Sequence, residues 1–311
     1  MKTTLRLIVL TVSLVAGPVL AQAPAPIGQA TAPSVKPEQV TISKLNAYVE
    51  LLNRTLRAQE SLARYQSWVN MKTGPTGRES LIYGLYSLYD VRAEIAKAEA
   101  ATTQPPPMAE LDAEMKSYIA AYGALAPTIT EADGYYERQD YRTDKMAQGK
   151  ALHAKLAVTA PAFLAERSKV DVLFKIEKAK SDAAELASIE AREGRNARWQ
   201  VTNVMIEARK VIDLLPTDEK PVVDIPAFTG ALARYADAVK IMDGYSAANP
   251  NSFFTFESQP RSFLGKLREF GDKLARVKGN ARRGPGRDLT WIINDYNMMV
   301  SSSESATTFA R

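Results

Sequence analysis

From Val40 to Met299 the apolar residues of this 311-residue chain recur every third or fourth position, and no alternating stretch longer than a few residues competes with that period. A repeat near 3.6 lines up one face of an α-helix, whereas a half-buried strand needs a repeat of two. The pattern therefore commits the chain to an all-α fold. Leu45, Val49, Leu52 and Leu56 mark a first helix over about 41–70, and Gly74-Pro75-Thr76-Gly77 breaks it. Leu81, Leu85, Leu88, Val91 and Ile95 mark a second over about 78–101, stopped by Pro105-Pro106-Pro107. A third carries Leu111, Met115, Tyr118, Tyr122 and Leu125 and ends at Pro127. Thr128-Ile129-Thr130-Glu131 has the form of a capping box and opens a fourth.

Residues 161–215 form the longest uninterrupted helical pattern, with Pro161 in a first turn and Gly194 as a bend or break. After a loop over 216–226, helices over Phe228–Met242, Phe263–Val277 and Leu289–Met299 complete the chain. Long helices with short loops pack as antiparallel neighbours. The expectation is an elongated antiparallel bundle of about eight helices, as two sub-bundles joined by the segment 161–215.

The ends read differently. Lys2 and Arg6 precede an apolar run from Leu7 to Val19, too short to span a bilayer, which closes on Leu20-Ala21. It reads as a signal peptide, residues 1–21, cleaved after Ala21. Residues 22–38 are rich in Pro, Ala and Gln and read as a flexible tether. A helical domain over 39–300 follows, and the tail 301–311 is expected to fray. No second long apolar run exists, so no transmembrane segment is expected in the mature chain. The absence of cysteine excludes disulfides, thiol catalysis, zinc–thiolate sites and a lipid-bearing N-terminal cysteine. The expected location is the periplasm, without a lipid anchor.

Charge is unevenly spread. Losing Lys2 and Arg6 with the leader lowers the net charge from +5 to +3. Residues 261–287 alone hold nine basic residues against Glu269 and Asp272. Three of the nine, Arg282, Arg283 and Arg287, share one glycine-rich turn suited to phosphates or carboxylates. An anionic envelope polymer is the corresponding partner; nucleic acid is not expected outside the cytoplasm.

Sites for chemistry are few. His153 is the sole histidine, with Asp140, Asp144 and Lys150 near it in sequence. A lone histidine can be a base or a ligand, but more often it is a satisfied core residue. Asp133, Glu137, Asp140 and Asp144 could hold a cation if helical, yet Arg138, Arg142 and Lys145 among them favour ion pairs. Tyr83, Tyr86 and Tyr89 recur every third residue and could stack on a glycan or peptide, though such rings more often pack. No nucleophile motif such as Gly-x-Ser-x-Gly occurs. Neither cofactor nor metal is expected.

Gly134-Tyr135-Tyr136 leads through Asp140-Tyr141 and Asp144 to Gly149-Lys150, His153 and Phe163. This sequence resembles the central motif of the YiiG-like family of bacterial envelope proteins. Lys44-Leu45-Asn46-Ala47-Tyr48 and Asp295-Tyr296-Asn297 extend the resemblance over about 41–300. It implies an exported helical protein of Gram-negative bacteria with no settled biochemical activity. Many members resemble lipoproteins, a feature this cysteine-free chain lacks. The candidate ligand region is Tyr135, Tyr136, Asp140, Tyr141, Asp144, Lys150 and His153. The expected role is a non-catalytic envelope protein that binds a partner or scaffolds an assembly. Small-ligand or metal binding at Tyr136–His153 is the second reading, and a hydrolase using the local carboxylates the third.

Overall fold

The helical period is realised as nine α-helices among the residues that the computed structural model describes, 37–216, 221–253 and 256–309. They are α1 (Pro37–Gln66), α2 (Arg92–Ala101), α3 (Ala109–Glu137), α4 (Tyr141–Asp144), α5 (Ala147–Glu193), α6 (Ala197–Ile212), α7 (Ile225–Ala248), α8 (Ser258–Arg276) and α9 (Asp288–Phe309). Among the described residues the only β pairing is a single antiparallel bridge, Val222 to Asn280. None of these helices is long and apolar enough to cross a membrane. The expected signal peptide and the tether before Pro37 lie outside the described residues. The chain divides into two compact units within α5, one ending at Ser181 and the other beginning at Asp182.

In the first unit, α1 packs against α2 and α3, and buried cations fasten helices together. Lys44 on α1 is 2 % exposed. Its ammonium donates to Asp112 Oδ2 at 2.8 Å and to the carbonyls of Gln104 and Pro106 at 2.9 and 3.0 Å. Asp112, on α3, also accepts from Tyr48 at Oδ1 and from the Met108 backbone N–H at Oδ2. All three ammonium protons are thus matched, the condition under which a charge can be buried. Arg167 on α5 plays a similar part. Its Nη1 donates to the Leu52 carbonyl of α1 at 2.8 Å, and its Nε to Asp171 at 2.9 Å. Phe163 of α5 packs on Tyr118 and Tyr122 of α3, with ring centroids 5.5 and 6.0 Å apart.

In the second unit, α6 packs on α7, α7 on α8, α8 on α9, and α9 returns to α6, which closes a four-helix cycle. Its core combines Val201, Val204 and Val211 with Phe228, Tyr235, Phe263, Phe270 and Met299. Tyr235 meets Phe263 edge-on at 5.8 Å and donates its hydroxyl to the Pro260 carbonyl at 3.0 Å. Arg209 on α6 pairs with the buried Asp182 of α5 at 3.1 Å.

Several expected boundaries are corrected. Residues 78–91 are not helical; helix begins only at Arg92. Gly84 there has φ +67°, and Leu81, expected inside, is exposed. Pro127 does not end a helix but lies inside α3, so Thr128–Glu131 opens nothing. Pro161 likewise lies inside α5 rather than in a first turn. Both prolines are exposed, as are Gly123 and Ala157 four residues earlier, whose carbonyls lose their helical donor. Water can meet those carbonyls, which keeps the lost bond tolerable. The tail over 301–309 does not fray but continues α9, with Ser303 and Ala306 buried. Gly194, at φ +70°, does break the helix, and Asn196 caps α6 by accepting from the Trp199 N–H.

Lys44→Met should leave Asp112 buried without its cation and cost about 3–5 kcal/mol in urea unfolding. Adding Asp112→Asn to that variant should recover much of the loss, because the uncompensated charge is then gone.

Candidate functional site

The motif 134–153 folds as a helix end, a tight turn and a helix start. α3 ends at Glu137, and Gln139, Lys145 and Met146 all take positive φ, so the chain reverses on either side of the one-turn α4. Asp144 stabilises the reversal. It accepts from the backbone N–H groups of Met146 and Gln148 at 2.8 and 2.9 Å, and from the Tyr135 hydroxyl at 2.8 Å. Backbone donation from Gln148 leads the effects that hold its carboxyl below the ordinary aspartate value. Gly149 sits where any side chain would strike Met146, Tyr136 and Tyr135.

The turn brings rings together. Tyr136 packs edge-on against Tyr135 at 4.9 Å and Trp68 at 5.0 Å, and Tyr65 lies 5.4 Å from Trp68. His153 is 8 % exposed and its ring centroid is 6.0 Å from that of Tyr65. Burial holds the imidazole below its ordinary pKa, against an opposing pull from a hydrogen bond to the Met71 backbone. With the neutral ring's proton directed at Met71, Nδ1 accepts from the Tyr65 hydroxyl at 3.2 Å. Burial pushes the Tyr65 phenol up to about 12, so it stays protonated. Gly74, at φ +77°, roofs the ring so closely that a Cβ there would come within 2.7 Å of His153 Cδ2. Burial pushes the Tyr136 phenol well above the ordinary tyrosine value, with the Tyr65 hydroxyl beside it.

Next to the cluster runs the extended segment 78–91, whose carbonyls have no ladder to join. α1 supplies side chains in place of a strand. Arg64 Nε donates to the Tyr83 carbonyl at 2.8 Å, Ser61 to that of Tyr86 at 3.1 Å, and Arg57 Nε to that of Ser87 at 3.1 Å. Trp68 Nε1 donates to the Gly84 carbonyl at 3.0 Å. Arginines of α1 also stack on the tyrosines: Arg64 and Arg57 lie 4.3 and 4.1 Å from the Tyr86 ring, and Arg54 lies 4.9 Å from Tyr89. Ser87 donates to Asp133 of α3.

Of the candidate ligand residues, the structure therefore unites Tyr135, Tyr136, Tyr141 and His153. It does not place Asp140 or Lys150 with them. Asp140 turns to Arg138 at 2.7 Å, and Lys150 is exposed. Asp144 faces Tyr135 and not the histidine. The partners of His153 are instead Tyr65, Met71 and Gly74. Tyr65 and Trp68 stand three apart at the end of a helical pattern, the one sequence signal that could have drawn attention to them. Among the described residues no three His, Cys, Asp or Glu side chains converge to form a cation site.

The basic turn is built, not loose. Gly279 and Ala281 form backbone bonds with Val223 and Pro221 at 3.0 and 2.9 Å, and Asn280 accepts from the Arg282 N–H. A Cβ on Gly279 would come within 2.5 Å of the Val223 carbonyl oxygen. Arg282 and Arg283 are exposed; the Arg287 side chain lies outside the described ones.

Fold and cluster together define an all-α bundle protein with a tyrosine–histidine lock over an extended segment. The chain belongs to the family described as "Protein of unknown function (DUF3829)", whose model matches residues 39–303. It is similar to "Uncharacterized protein YiiG" of Escherichia coli (strain K12), at 28% identity over 304 residues covering 90% of this chain and 85% of that protein. No solved structure matches it.

The lowered pKa of His153 gives a signed pH dependence. Below an unfolded value of about 6.5 the unfolded chain takes up a proton that the folded ring refuses, so this contribution to stability is present above that pH and lost as pH falls through the window below it. Urea unfolding at neutral and mildly acidic pH should show a steeper acid loss for the native sequence than for His153→Gln.

Proposed function

We propose that this protein is a non-catalytic component of the periplasmic envelope that binds a partner or scaffolds an assembly. The observation that supports this most is the state of His153. A general base needs a lone pair that a substrate can reach. Here Nδ1 is taken by Tyr65, the ring is bonded to the Met71 backbone, and Gly74 covers it. The carboxylates of the same region cap a helix or form ion pairs. The motif residues thus serve to hold an extended segment against α1 and α3, which suits a chain that presents surface rather than one that transforms a substrate. The second reading, a small-ligand site, has less behind it, because Gly149, with Met146 close by, fills the space beside the Tyr136 hydroxyl.

Fractionation of cells expressing the tagged chain should release it with the periplasm or envelope, and recovery in the cytoplasm alone would end the envelope reading. His153→Gln should lower stability by about 1–3 kcal/mol, the cost of leaving buried polar partners unmatched, while leaving co-sedimentation with envelope fractions unchanged. A variant as stable as the native chain that no longer co-sediments would make the cluster a ligand site.

A further inference from the structure

The unit beginning at Asp182 carries a second surface feature. Lys266 and Lys273 on α8 are neutralised by Asp295 and Asp288 of α9. Farther along, Arg276, Lys278 and Arg283 are exposed and form no ion pair among the described residues. Gly284 lies against the side chain of Val277, which sets the backbone that carries Arg276 and Lys278 beside the backbone that carries Arg283. Backbone bonds to Pro221 and Val223 keep the turn in shape.

Two large apolar side chains on the elements that adjoin this turn are exposed. Val222, bridged to Asn280 at the centre of the turn, is 60 % exposed. Trp291, in the first turn of α9, is 70 % exposed, although Leu289, Ile292 and Ile293 beside it are buried. An indole is costly to leave in water and gains most where one side is apolar and the other wet. A soluble phosphate would use the cations but has no use for an indole and a valine. The head-group region of an anionic bilayer uses both, with phosphates for the cations and the interface for tryptophan.

We propose that the turn 276–284, with Val222 and Trp291, docks this protein on the surface of an anionic lipid bilayer. The proposal names the partner class for the envelope role above, and rests on it only for the chain's access to such a membrane. Binding to vesicles tests the surface without testing export, so either idea can fail alone.

The purified protein is mixed with phosphatidylcholine vesicles, with and without phosphatidylglycerol, at low and physiological salt. It should float with the anionic vesicles only, and less so at higher salt. Of the three tryptophans, Trp199 is buried and Trp68 half-buried, so a blue shift on binding should come from Trp291 and vanish in Trp291→Phe. Each cation removed should weaken binding about fivefold, and Arg276→Ala, Lys278→Asn and Arg283→Ala together about a hundredfold. Asn is chosen because Lys278 has φ +51°, and circular dichroism checks that the variants fold. The proposal is overturned if the native chain ignores anionic vesicles at low salt, if the triple variant binds as the native chain does, or if inorganic phosphate binds at the turn while vesicles leave Trp291 emission unshifted.

Discussion

A stretch of backbone outside any helix or sheet must find partners for its carbonyls, and the first unit is organised around that requirement. Residues 83–87 meet Arg57, Ser61 and Arg64, which fall three or four apart on α1 and so share one face, and Trp68 just beyond its end. The helix acts as the missing strand. Because two of these donors are guanidiniums, they also stack on the tyrosines of the segment they hold. The lock formed by Tyr65, Trp68, Tyr136 and His153 then fixes the end of the same helix. The motif and the extended segment are therefore one construction, not a site with an adjacent loop.

The buried cations work differently. Lys44 and Arg167 each reach from one helix to main-chain carbonyls elsewhere, a contact no apolar side chain can supply. Such a charge adds little net stability when matched and costs several kcal/mol when its partner is lost. Its effect is to select one register of packing, since a shifted helix would strand the charge. Arg209 with Asp182 offers the second unit a comparable fastener.

Much of the helical architecture is legible in the apolar period, including the break at Gly194, because amphipathic spacing over many turns is a strong signal. Proline misleads at Pro127 and Pro161. A sequence shows the missing N–H but not that the affected carbonyl lies on the wet side of a helix. Residues 78–91 mislead in the opposite sense, since Leu81, Leu85, Leu88 and Val91 keep a helical spacing while the backbone carbonyls are taken by side chains from a helix 19 to 30 residues earlier. In the candidate site, the grouping of Tyr135, Tyr136 and His153 is legible as a motif. Its partners Tyr65 and Gly74 are not, because they come from another part of the chain. Lys44 and Arg167 look like ordinary surface charges until the carbonyls they meet are in place.

The pinning of Gly279 against Val223 bears on how the chain meets proteases. Trypsin cuts after lysine and arginine, and the segment 276–283 offers Arg276, Lys278, Arg282 and Arg283 in close succession. A protease needs several residues of its substrate drawn out straight, and this stretch is curled into a short helical turn, bonded to residues 221–223 and free of slack. The richest cleavage site in the sequence is thereby withheld from the enzyme until the turn detaches from the entry to α7. Digestion at these bonds would report that detachment rather than simple exposure.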